Sequence, residues 1–79
     1  MTAAEAEREI FRIIVQSTET ELAVTEETKL FEEMGLSSME VFILLGDLEE
    51  AFGIDIPAAG LRSVRTAGDL SKYVLELLK

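Results

Sequence analysis

Apolar residues recur every three or four positions in three stretches of this chain, and each stretch opens on a hydroxyl residue. In the first, Ala3, Ala6, Ile10, Ile13 and Ile14 fall on one helical face, which Phe11 and Val15 widen. The pattern predicts a helix from about Ala3 to Gln16, started by Thr2 and Glu5 at the spacing of a capping box. Glu5 with Arg8, and Glu9 with Arg12, are spaced to pair on its wet side. A second helix is predicted from Ser38 to about Phe52, with Gly53 as its C-terminal stop. Val41, Leu44, Leu45, Leu48 and Phe52 form its buried stripe. Met39, Phe42 and Ile43 are additional, so this helix has more apolar surface than one core face requires. The last helix begins after Thr66, where Thr66 and Asp69 make another capping pair. There Ala67, Leu70, Val74, Leu77 and Leu78 line the inward side, with Tyr73 beside them.

The stretches between are less regular. Residues 17–37 carry no sustained helical stripe, but Leu22, Val24, Leu30, Phe31, Met34 and Leu36 are spread along them as anchors. This segment reads as a long loop pinned onto a bundle. The connector GIDIPAAGLRSVR holds the only proline, Pro57, and is expected to dock through Ile54, Ile56, Leu61 and Val64, with one short helical turn. No pair of strands with a hairpin turn is visible. The expected fold is all-α: a small four-helix bundle of three main helices plus a short one, forming a single domain over residues 1–79, with the long loop between the first and second helices.

Composition narrows the function. Apolar residues make up 48% of the chain and are periodically placed, which argues against disorder. Sixteen acidic against seven basic residues give a net charge of -9, which repels nucleic acid and anionic membranes and attracts basic patches on other proteins. Cysteine and histidine are both absent, so disulfides, thiolate metal sites and the commonest general base are excluded. Glu49, Glu50 and Asp55 do not follow the alternating ligands of a calcium loop, so no metal site is expected. No apolar run approaches the roughly 20 residues of a membrane span. The start, MTAAEAERE, is too acidic and polar for a signal peptide, so a soluble, cytoplasmic protein is expected, and a monomer is expected as well.

The stretch GLSSME, residues 35–40, places two serines at a helix start. Ser37 and Glu40 have capping-box spacing, which accounts for Ser37. Ser38 is left without a structural task, and spacing alone leaves it either a small polar surface residue or a reactive one. A phosphate attached there would lie against the free amides and positive dipole of the helix start.

The run LFEEMGLSSMEVFILLGDLEEAFGIDIP resembles the acyl carrier protein and peptidyl carrier protein family. Ser38 occupies the position of the family's modified serine, Pro57 falls nineteen residues later where the family has its proline, and TAGDLSKYV is similar to the family's last helix. The resemblance implies that Ser38 takes a 4'-phosphopantetheine arm from coenzyme A, delivered by a phosphopantetheinyl transferase. It further implies that the arm's thiol carries acyl or aminoacyl groups as thioesters between acyl-loading, condensing or other acyl-processing enzymes, while the carrier catalyses nothing. Two positions depart from the family pattern: Ser37 replaces the usual aspartate, and Ile43 stands where many fatty-acid carriers have glutamate. The second hints at polyketide, nonribosomal peptide or specialised fatty-acid synthesis. In this reading Leu36 and Met39 flank Ser38 as apolar docking points, and Glu40, Ile43, Asp47 and Glu50 form a strip at helical spacing. Gly46 either admits a close partner or is merely tolerated, and Leu44, Leu48, Ile56 and Tyr73 are candidates to line an acyl cavity. Two alternatives stand beside it: an unmodified acidic interaction module, and a D-alanyl carrier of cell-wall metabolism.

Overall fold

The computed structural model describes residues 1–79 and contains three α-helices and one 3-10 segment. Helix α1 spans Ala3–Thr18, α2 Ser38–Phe52 and α3 Ala67–Leu77, with the 3-10 segment at Ala58–Ser63. The architecture is therefore all-α, with a long loop between α1 and α2. The one β-type pairing is an isolated antiparallel bridge between Lys29 and Thr66.

Each α-helix starts where its capping pair was legible. In all three, a hydroxyl accepts the third helical amide and the carboxylate there reaches back to the cap amide: Thr2 with Glu5, Ser37 with Glu40, Thr66 with Asp69. Helix α1 runs two residues beyond the expected Gln16 and stops at Glu19, which takes the left-handed conformation at φ 53° without being glycine. Helix α2 stops as expected at Gly53, whose φ of 65° costs glycine nothing.

The helices pack through one apolar cluster. It takes Ile10, Ile13 and Ile14 from α1, Val41, Leu44, Leu45 and Leu48 from α2, and Ala67, Leu70 and Val74 from α3. Leu30, Leu36, Ile56 and Val64 reach the same cluster from the connecting segments. Each buried valine, leucine or isoleucine among them contributes roughly 1.5–3 kcal/mol. Leu44, Leu48 and Ile56 thus serve as core, with Tyr73 packed partly buried against them.

Several expectations need correction. Leu36 is not a docking surface: it is buried in the core, drawn in because its amide donates to the Leu30 carbonyl at 3.1 Å. Leu22 and Phe31 are exposed, so Leu30 and Leu36, with Val24 and Met34 partly buried, anchor the loop. Val15 and Ala3 face water. Glu5 does not pair with Arg8, because capping Thr2 holds its carboxylate; Glu9 does pair with Arg12. On α3, Ser71 is buried while Leu77 and Leu78 are only half-buried.

The long loop is fixed by backbone hydrogen bonds to the start of α3. The amides of Ala67 and Gly68, which a helix start leaves free, donate to the carbonyls of Thr28 and Glu26, both at 2.9 Å. Gly68 is required for that approach, since a Cβ there would stand 2.7 Å from the Glu26 carbonyl oxygen. Gly46 on α2, by contrast, has open space where a side chain would go. Gly68→Ala should therefore destabilise by about 1–3 kcal/mol through overpacking, whereas Gly46→Ala should stabilise by roughly 0.5–1 kcal/mol. Urea unfolding of both variants decides this, and a Gly68→Ala protein as stable as Gly46→Ala would remove the proposed constraint.

Asp69 ties the same junction. The amides of Arg65 and Thr66 donate to its carboxylate at 3.1 and 3.2 Å and hold its pKa below the ordinary 3.8. A depressed folded-state pKa contributes stability above the unfolded value, and that stability is lost as pH falls through the folded one. Acid unfolding monitored by circular dichroism should therefore be less steep below about pH 4 in Asp69→Asn than in the parent chain.

Candidate functional site

The approach to α2 is built from the loop. The Leu30 amide donates to the Arg65 carbonyl at 2.9 Å, and the Leu30 carbonyl accepts from Leu36. Gly35 turns the chain at φ 69°, and Ser37 then takes extended backbone at φ -84°, ψ 167° as the cap. Its hydroxyl accepts the Glu40 amide at 3.1 Å, and its own amide donates to the Glu40 carboxylate at 3.0 Å. Serine thus caps this helix with an uncharged hydroxyl.

Ser38 is the first residue of α2 and is exposed. Its hydroxyl forms no intramolecular hydrogen bond, and the amides of Ser38 and Met39 are likewise unbonded. At α3, by contrast, the first two amides are both taken by loop carbonyls, while α1 starts with open amides as α2 does but offers no hydroxyl at its first position. Two free amides and the positive helix end suit an anion held on the Ser38 oxygen. Glu40 does not oppose one freely, because its carboxylate is turned back onto the Ser37 amide. The residues present therefore fit a phosphodiester.

Beyond Ser38, α2 shows water an apolar stripe: Met39 is 72%, Phe42 54% and Ile43 58% exposed. These positions are helical neighbours, and Gly46 continues the stripe without a side chain. Phe42 thus joins Met39 and Ile43 on the surface, which is where the apolar excess of this helix goes. The acidic positions are less free than their spacing implied. Asp47 accepts a hydrogen bond from Ser17 of α1, and Glu49 accepts the Ile56 amide at 2.7 Å. Glu50 keeps an unpaired carboxylate. Glu40 and Ile43 border one shallow depression with Ser17, Thr18 and Glu19, and Asp47 and Glu50 border the next along the α1–α2 seam. The strip Glu40, Ile43, Asp47, Glu50 is thus one continuous edge, while Leu36 lies beneath it in the core.

Residues 8–74 match the family model described as the phosphopantetheine attachment site. An acyl carrier protein of Thermotoga maritima is 37% identical over 54 residues, covering 68% of this chain and 67% of that one. An acyl carrier protein of Wolinella succinogenes is 39% identical over 51 residues, covering 65% and 67%. Among solved structures, a Mycobacterium tuberculosis chain assigned as an acyl carrier protein superposes with a TM-score of 0.78 at 28% identity, covering 87% of this chain and 93% of that one.

If the cap is as described, Ser37→Ala should cost about 1 kcal/mol of stability, and Ser38→Ala, which breaks no hydrogen bond, should leave stability within about 0.5 kcal/mol. Thermal unfolding of the two variants checks the assignment of cap and free hydroxyl.

Proposed function

The chain belongs to the acyl carrier protein family, and on that premise we propose that Ser38 is the residue that bears the group. Members carry a covalently attached 4'-phosphopantetheine and act as non-catalytic carriers. The observation that carries the assignment is the exposed, unbonded Ser38 hydroxyl beside two unbonded amides. Those amides and the helix dipole would steady the phosphodiester, and the exposure lets a transferase reach the oxygen. When attached, the group supplies a mobile thiol that holds acyl or aminoacyl cargo as a thioester.

In this reading the chain is a single carrier domain, monomeric and cytoplasmic. It is a substrate for a phosphopantetheinyl transferase and for acyl-loading, condensing or other acyl-processing enzymes. The exposed apolar stripe through Met39 and Ile43, with Glu40, Asp47 and Glu50 along its edge, supports docking that relies more on apolar contact than on charge. That balance favours polyketide, nonribosomal peptide or specialised fatty-acid synthesis as the setting. The uncharged Ser37 beside the site favours a second reading, an interaction module of the same fold that is never modified.

Incubation with coenzyme A, magnesium and a promiscuous transferase should add one phosphopantetheine mass to the parent chain and to Ser37→Ala, and none to Ser38→Ala. Mass spectrometry reads the result. Modification that persists in Ser38→Ala refutes the site, and an exclusively unmodified population in the native host supports the interaction module.

A further inference from the structure

We infer that Arg62 and Arg65 form a partner-selecting strip beside the root of the arm, matched to an enzyme surface that presents carboxylates there. The inference rests on Ser38 being the attachment point. Charge along the chain is segregated. From Leu30 to Leu61 there are seven acidic residues and no cation, whereas the segment from Pro57 to Gly68 holds two arginines and no acid. Both arginines are exposed. The three ion pairs of the molecule are Arg12–Glu9, Lys29–Glu32 and Lys79–Glu76, so neither Arg62 nor Arg65 is in an ion pair, and the carboxylate of Asp69, next after the segment, is turned to the Arg65 and Thr66 amides.

The fold holds this cationic segment against the approach to Ser38. The Arg65 carbonyl accepts the Leu30 amide and the Leu30 carbonyl accepts the Leu36 amide, two residues before Ser38. Residues joined by such bonds lie about 5 Å apart, which keeps the Arg65 backbone within about 10 Å of Leu36. The segment is also held from its other end. The Tyr73 hydroxyl donates to the Pro57 carbonyl at 2.6 Å, and Gly60 lies so close to the Tyr73 ring that a Cβ would stand 2.1 Å from it. Arg62 therefore extends from a fixed 3-10 segment, and Arg65 from a backbone bonded on both sides.

Guanidinium groups keep their charge at any physiological pH, and their planar fork matches a carboxylate. Charges at the rim of an interface mainly set encounter rate, orientation and exclusion of wrong partners. A partner with one unbroken basic face would be drawn to the acidic edge of α2 and repelled at Arg62 and Arg65. A partner with carboxylates opposite the arginines and an apolar or basic area opposite α2 satisfies both sides.

The test uses a promiscuous transferase whose docking face is basic, with coenzyme A, acting on the parent chain, Arg62→Glu/Arg65→Glu and Arg62→Gln/Arg65→Gln. At low salt the glutamate variant should lower KM about 3- to 10-fold with kcat unchanged, the glutamine variant should fall between, and the differences should close at high salt. Among single Lys→Glu variants across the transferase's docking face, at least one should lower KM for the parent chain and raise it for the glutamate variant. Equal KM values for all three chains at low salt, or no transferase variant that exchanges their order, would overturn the inference. Urea unfolding confirms that the variants are folded. Failure of the parent chain to be labelled, or labelling of Ser38→Ala, would instead strike the attachment site and is read in the same assay.

Discussion

Everything at the working end of this molecule depends on how the backbone of Leu30 is held. Its side chain is fully buried, its amide is bonded to Arg65 and its carbonyl to Leu36. One residue thereby registers the long loop, the segment before α3 and the start of α2 against each other. Without it the loop would keep only the bonds of Glu26 and Thr28 to α3 and scattered apolar contacts to offset its ordering entropy. With it, the capping residue Ser37 and the exposed Ser38 are presented from a fixed base, although a loop of this length would otherwise wander.

The neighbouring helix start shows what such a loop does to orphan amides. At α3 the loop carbonyls of Glu26 and Thr28 occupy the first two amides, so that end is structural. At α2 no carbonyl follows, and the first two amides stay open beside a free hydroxyl. The difference is one of loop path rather than helix chemistry, since both helices carry the same kind of capping box. This is why the proposed attachment point lies at α2 and not at α3, and it needs no basic pocket.

Charge and apolar surface then divide around that point. Helix α2 offers an apolar stripe edged by carboxylates, two of which, Asp47 and Glu49, are also spent on holding α1 and Ile56. Across the loop lie the arginines of the segment before α3. A protein with net charge -9 would ordinarily be expected to meet basic partners alone. The local arrangement is more discriminating than the total, because screening in salt confines each charge to its near neighbourhood.

The sequence by itself determined the helices and their starts: hydroxyl–carboxylate pairs three residues apart and apolar positions at helical period are local, and helix initiation is a local event. It also placed Ser38 at a helix start and showed α2 to be too apolar for a core stripe alone. It did not reveal that Leu36 is core, because a loop has no period from which to read a face. Nor did spacing tell that Glu5 would cap rather than pair with Arg8, since both partners lie within reach and only the formed helix end decides. The seating of Gly68 under Glu26, the closeness of Arg65 to the approach of α2, and the vacant amides of Ser38 and Met39 belong to the tertiary structure. Each depends on where residues distant in sequence bring a carbonyl oxygen, and that follows only once the core has closed.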